Sequence, residues 1–315
     1  MKKNKWEYFQ NLFPFIGLIV IVLVFTITSG DRLWTRNNLL SILNMVIPLC
    51  LGASGMVFVA SQGSTDMSMG SLLALCGTLG GLASLKLGIP GFVAVSLLTG
   101  VLFGVFNGVI VAYFKVPSLM VTLAMLIALR AVVSYITNGQ ALFLDADVIA
   151  LDSLYVTLPA AVILLAVMGY VFSCTKVGFF SRCIGENQEV GRFAGVSVKK
   201  YKICAFALSG LMAGVTGILA VVKIGGVSPT IGNFFELQIM TAMFVGGIPV
   251  TGGSGSKFYK IITGAFMLVF LQNGLTLCMV SAEISELIQG IILLVVVFLS
   301  IFAGRRLHTI ELLNK

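Results

Sequence analysis

The sequence predicts an all-α membrane protein of about ten spans, with both termini in the cytoplasm and a short polar helix between spans six and seven. Three observations predict this fold class. First, 58% of the 315 residues are hydrophobic and only 10% are charged, and mean hydropathy is +1.06; a soluble domain carries about 25% charged residues. Second, the apolar residues gather in runs close to the roughly 20 residues that a helix needs to cross hydrocarbon. Third, the basic residues divide unevenly between alternate connections. Lipid cannot satisfy backbone polar groups, so each run is read as a helix.

The runs fall at about 13–29, 39–61, 68–88, 91–114, 117–137, 157–173, 202–223, 237–252, 258–281 and 284–303, within one transmembrane domain covering 1–315. The opening Met1–Lys5 (MKKNK) and its apolar run have the look of a signal peptide. No small-residue cleavage site follows through Thr26–Gly30, and the run is long for a signal core, so it reads as an uncleaved first helix. The runs at 39–61, 68–88 and 237–252 are rich in Gly, Ser and Thr. Small residues let helices approach closely, and they permit breaks where the backbone lines a cavity.

Ten spans starting inside place fifteen of the twenty basic residues in the cytoplasm, including Lys115, Lys176, Arg182, Lys199, Lys257 and Arg305. Only Arg32, Arg36, Lys86 and Lys223 fall outside, which fits the positive-inside rule. The net charge of +8 is therefore a topology signal and implies no nucleic-acid partner. The six cysteines form no CxxC pair, and His308 is the single histidine. A His-based catalytic or metal site is excluded on that count, and the cysteines read as small packing residues. No GxxxxGK[ST] phosphate loop occurs. GGSGSK at 252–257 has neither the spacing nor the final hydroxyl, and reads as a flexible turn between spans. The chain thus has no means of hydrolysing ATP.

The polar interruption Arg182–Lys202 (RCIGENQEVGRFAGVSVKKYK), in a connecting loop of about 174–201, holds five basic and two acidic residues. Glu186 and Glu189 are expected in the first turns of a short helix and Arg192 near its end, matching the helix dipole. Glu189 and Arg192 are spaced i,i+3. Val190, Phe193 and Ala194 form a small apolar face, and Gly195 suits the left-handed C-terminal position. By its physics alone this helix either docks a partner or rests on lipid headgroups.

The stretch resembles the cytoplasmic coupling loop of ATP-binding-cassette importer permeases, whose core is Glu-Ala-Ala with a following Gly; the matching positions are Glu189, Val190, Gly191 and Gly195. More closely, 187–220 resembles the ribose-type monosaccharide permeases through Ser209, Gly210, Ala213, Gly214 and Gly217. GSTDMSMGSLLALCG (63–77), FNGVIVAYFKVPSLMVTLAMLIALR (106–130), FVGGIPVTGGSGS (244–256) and LQNGLTL (271–277) resemble further segments of that family in the family's order. The resemblance runs from about 35 to 303. It implies a permease that carries a monosaccharide or similar small polar solute, with nucleosides, inositol or a signalling furanose as alternatives. It also implies a separate cytoplasmic ATPase that uses ATP and magnesium, an extracellular or periplasmic substrate-binding protein, and a second permease chain. No cofactor is expected in this chain. A self-contained secondary transporter or channel is the alternative of a different class. Ser64 and Thr65 depart from the family's Gly and Ile. Val190 and Gly191 replace its two alanines, which implies a looser coupling helix, since a helix-interior Gly costs about 0.8–1 kcal/mol relative to Ala. That looseness fits one half of a heteromeric pair whose other half couples more firmly.

The coupling residues are therefore expected to be Glu186, Glu189, Arg192, Phe193 and Gly195. Candidates along the translocation path are Asp66, Ser68, Asn107, Arg130 and Asn273. Arg130 sits about twelve residues, or roughly 18 Å, into a span. A charge there costs about 2.5–3.5 kcal/mol, so it must face the bundle interior, a partner or water. It either donates to the solute path or a gate, or pairs with Asp145 or Asp147. Asp66 is placed to accept from the Ser68 or Met69 N–H ahead of the third span, or to stand at the path's inner mouth. Asn107, Gln272 and Asn273 suit interhelical hydrogen bonds or sugar hydroxyls. Glu236, Glu283 and Glu286 are expected at outer ends of spans. The acidic stretch Asn138–Val156, with Asp145, Asp147 and Asp152, is the expected face for a binding protein.

Overall fold

The computed structural model describes residues 5–144 and 146–313. In chain order its helices are α1 (Lys5–Ser29), α2 (Arg36–Ser61), α3 (Met69–Tyr113), α4 (Ser118–Ile136), α5 (Ala146–Ile149), α6 (Leu154–Cys174), α7 (Lys176–Glu186), α8 (Gln188–Phe193), α9 (Val198–Ile224), α10 (Phe235–Val245), α11 (Phe258–Leu277) and α12 (Ala282–Leu313). A two-residue strand on either side, Leu142–Phe143 and Gly226–Val227, pairs antiparallel and ties the connection after α4 to the one after α9. Among the described residues, seven helices are long and apolar enough to cross a membrane: α1, α2, α3, α4, α6, α9 and α11.

α3 is 45 residues long, about 67 Å at helical rise and over twice the hydrocarbon thickness. It does not run straight. Gly88 takes φ 61° and ψ −156°, which only glycine adopts readily, and Pro90 follows. The two halves then lie side by side: the Ser96 hydroxyl donates to the Cys76 carbonyl at 3.0 Å, and a Cβ on Gly80 would strike the Phe92 carbonyl at 2.8 Å. The break falls where the sequence places the boundary between 68–88 and 91–114.

The expected span at 237–252 is different. α10 covers only 11 residues, about 16 Å, and turns follow to Lys257. Gly246, Gly247 and Pro249 end it, with Gly247 at φ +87°. The buried Lys260 ammonium donates to the Gly247 carbonyl at 2.8 Å and to the Gly255 carbonyl at 2.9 Å, so the exposed helix end is satisfied inside the protein.

The chain forms two compact units. The first holds α1, the start of α2, the later part of α10, α11 and α12. There a Cβ on Gly274 would overlap the Phe25 ring, and Phe15 stacks on Tyr259 at 5.8 Å. The second comprises Ile47–Ile239 and Thr251–Ser254. Its centre is the packing of α9 on the hairpin of α3. A Cβ on Gly100 would strike the Gly210 carbonyl, and a Cβ on Gly210 would strike the Gly100 carbonyl. Gly104 meets Phe206 and Gly210 in the same way, and Gly108 meets Ile203. Glycines at every fourth position thus bring two backbones into direct contact. Large apolar side chains such as Leu102, Ile127, Tyr135 and Ile163 point outward and stay exposed, as they should where the solvent is lipid.

Replacing Gly210 with Val should push α3 and α9 apart and lower unfolding stability in detergent by about 1–3 kcal/mol. Gly290→Ala, in the interior of α12 where an added Cβ meets nothing within 4 Å, should instead hold or slightly raise the unfolding midpoint, since Ala is the better helix former.

Candidate functional site

The polar interruption folds as two helices. α7 starts at Thr175, whose hydroxyl accepts from the Val177 N–H at 3.3 Å, and runs to Glu186. Asn187 is extended (φ −160°, ψ 109°), and its side-chain oxygen accepts from the Glu189 and Val190 N–H groups at 3.0 and 3.1 Å. That cap starts a new helix, α8, of six residues. Glu186 is therefore not in the first turn of the same helix as Glu189, as expected; it closes α7. Its Oε1 accepts from the Ser254 N–H at 2.6 Å and from the Ser254 hydroxyl at 2.5 Å.

α8 ends at Gly195, in the left-handed conformation at φ +80°, with the Val196 N–H reaching the Gly191 carbonyl at 3.0 Å. Glu189 and Arg192 are exposed, and so are the apolar Val190 (62%) and Phe193 (88%). A short, capped helix thus presents a bare aromatic ring between acidic and basic side chains. A Cβ on Gly191 would meet nothing within 4 Å, so its glycine is not imposed by packing.

The path candidates separate into three places. Asp66, Ser68 and Asn107 come together in the second unit, buried at 1%, 0% and 0% exposure. Asp66 Oδ1 accepts from the Ser68 N–H (3.1 Å) and hydroxyl (2.6 Å), and its Oδ2 accepts from the Ser209 hydroxyl at 2.7 Å. The Asn107 amide donates to the Ser68 oxygen at 3.0 Å, while among the described residues its own Oδ1 has no hydrogen-bond partner. A buried carboxylate must be hydrogen-bonded to be tolerated. Here its bonds also join the start of α3 to α9.

Arg130, half-buried on α4, donates through Nη1 to the carbonyls of Pro229 (3.1 Å) and Ile231 (2.7 Å). It holds the irregular segment between the second strand and α10. Asp145 lies outside the described residues, and Asp147 is exposed. Asn273 is in the first unit. It exchanges two amide hydrogen bonds with Asn38, at 2.8 and 3.0 Å, while Gln272 donates to Gln289 at 2.8 Å.

Three residues escaped the sequence reading. Glu236, expected at an outer end, is 5% exposed. It fills the space where residue 70 would carry a side chain if it were not Gly70. Its signal was a lone carboxylate opening an apolar run too short to cross. Lys260 was counted only among the fifteen cytoplasmic basic residues, although it is buried three residues into α11. Gln62 is buried and donates to the Ser181 hydroxyl and the Tyr201 carbonyl, both at 3.0 Å, joining α2 to α7 and α9; nothing local in the sequence marks it.

Residues 38–297 match the family described as branched-chain amino acid transport system / permease component. The chain belongs to this family. It is the permease component of an ATP-binding-cassette importer, a multi-pass membrane subunit that catalyses no reaction itself. It is 31% identical to the ribose import permease protein of Haemophilus influenzae over 97% of this chain and 99% of that one. To the ribose import permease protein of Escherichia coli K12 it is 31% identical, over 90% and 91%. To the xylose transport system permease protein of the same strain it is 29% identical, over 92% and 91%. No solved structure matches it. The family implies ATPase and binding-protein partners for the permease.

Two outcomes follow from the buried polar groups. Ser209→Ala leaves Asp66 Oδ2 buried without a donor and should cost about 1–3 kcal/mol of unfolding stability, with Asp66→Asn adding less to it than it costs alone. Arg130→Ala should raise amide hydrogen exchange over residues 228–234 by about tenfold, with Arg130→Lys intermediate, because the two carbonyls lose their charged donor.

Proposed function

We propose that this permease carries a monosaccharide of the ribose or xylose kind, or a similar small polar solute, inward across the bacterial cytoplasmic membrane. The names of its relatives support the solute class: those proteins are ribose and xylose permeases over nearly the whole length compared. In this reading the chain makes ten spans with both termini cytoplasmic. The α3 hairpin supplies two of them and α10 a partial one. It works as one of two permease chains, with an ATPase below and a binding protein above at the acidic 138–156 stretch. Asp66, Ser68 and Asn107 hold together the helices that flank the route, and Arg130 sets the segment that opens or closes it. α7 and α8 form the coupling segment.

The observation that carries the coupling reading is the bare face of α8. An 88% exposed Phe193 has no use in a free chain, whereas an apolar anchor ringed by charges is what a docking helix needs. Closure of the ATPases on ATP would pull this helix, and α7 and α9 would pass the movement to the spans.

The test reconstitutes the permease in vesicles with the ATPase and binding protein encoded beside it and follows radiolabelled ribose and xylose. Uptake should require all three proteins and ATP. Phe193→Asp should weaken retention of the ATPase about tenfold or more, without moving the unfolding midpoint. Uptake by the permease alone, without ATP, would make it a self-contained carrier and sink the proposal.

A further inference from the structure

We propose that Glu186 and the glycine turn 251–254 form a strut that carries movement of α8 to the end of α2, so that Glu186 is a positioning residue of coupling rather than a contact for the ATPase. The proposal rests on the reading of α7 and α8 as the coupling segment.

From its composition the turn is a flexible linker. In the structure three segments distant in sequence meet there with almost no side chain between them: the end of α2 (60–63), the end of α7 (185–186) and the turn itself. The Gly253 N–H donates to the Ser61 carbonyl at 2.9 Å, which bolts the turn to α2. The Ser254 N–H and hydroxyl both donate to Glu186, which bolts it to α7. A Cβ on Gly252 would lie 2.6 Å from the Ser61 carbonyl and 2.8 Å from that of Ala60, and one on Gly253 would lie 2.6 Å from Glu186 Oε1. Gly185 faces the Ser61 carbonyl and the Gly253 nitrogen just as closely. Gly252 and Gly253 also sit at φ +76° and +93°, where other residues are strained.

Backbone packed on backbone has no rotamers with which to absorb a displacement. A shift of Glu186 therefore becomes a shift of the turn and of Ser61. The residue after α2, Gln62, spreads it to α7 and α9 through Ser181 and Tyr201. Glu186 also stands at a particular point of the chain. Asn187, the cap of α8, follows it directly, so the strut grips the residue about which α8 would tilt.

The test uses the full permease with its ATPase and binding protein in vesicles, reading three quantities for each variant: ATPase retained, ATP hydrolysed and ATP-driven uptake. Glu186→Ala is expected to keep the ATPase bound and hydrolysing while uptake falls about tenfold, the size of losing charge-assisted hydrogen bonds. Glu186→Gln, whose oxygen accepts the same two bonds, should restore uptake, and Gly253→Ala should repeat the loss. Release of the ATPase by Glu186→Ala would make Glu186 a docking contact and overturn the proposal, as would unchanged uptake. If Glu186→Ala does not accumulate, Ser254→Ala, which removes one of the two bonds, takes its place: reduced uptake with the ATPase bound supports the strut, and full uptake overturns it. Wild-type permease that neither retains an ATPase nor responds to ATP would remove the coupling reading beneath the proposal, a failure visible before any variant is compared.

Discussion

The contact on which the rest of the second unit depends is the backbone-to-backbone meeting of α9 with the second half of α3. In lipid, apolar side chains gain nothing by leaving the solvent, because the solvent is itself apolar. Association must come from close van der Waals contact and from polar groups that pair across the helices. Gly100, Gly104 and Gly108 facing Gly210 and Phe206 provide the first. Asp66 accepting from Ser209 provides the second. The two reinforce each other, since the hydroxyl reaches the carboxylate only when the backbones are close. The hairpin bend at Gly88 completes the arrangement by laying the first half of α3 beside the second.

Breaks in helices at membrane depth leave carbonyls that only protein can satisfy. The permease meets this with cations drawn in from neighbouring helices. Lys260 serves the turn after α10, and Arg130 serves the segment before it. Both side chains are charges that an apolar setting tolerates only when engaged. Their placement explains why a helix of 11 residues stands where a full span was expected. It also separates the two ends of α10 by function: one end is pinned by Lys260, and the other carries the buried Glu236.

Much of the architecture was legible in the chain. Apolar run lengths marked the long helices, and the left-handed end of α8 followed from Gly195. Asp66 accepts from the Ser68 N–H, one of the two donors its position offered. Other features were legible but unread: the four-residue spacing of Gly100, Gly104 and Gly108 announces a close helix contact. So was the break at Asn187, since Asn is a preferred N-cap and a weak helix-interior residue, although the charges around it suit a single helix. Others could not be read. Asn38 and Asn273 are 235 residues apart, and no local pattern pairs them.

The sequence by itself determined what is summed along the chain: that it lives in lipid, where most of its long apolar helices fall, and that it lacks a phosphate loop. It also held the family's motifs in order. Those properties depend on composition and spacing, which tertiary contacts do not alter. Only the tertiary structure decided which polar residues meet. It moved Glu186 out of the exposed helix and onto Ser254, set Arg130 on two carbonyls, and made a fixed junction of residues 251–254, where the sequence suggested a flexible turn at 252–257. Each of these depends on segments that lie tens to more than a hundred residues apart and meet only once the glycines have let their backbones touch.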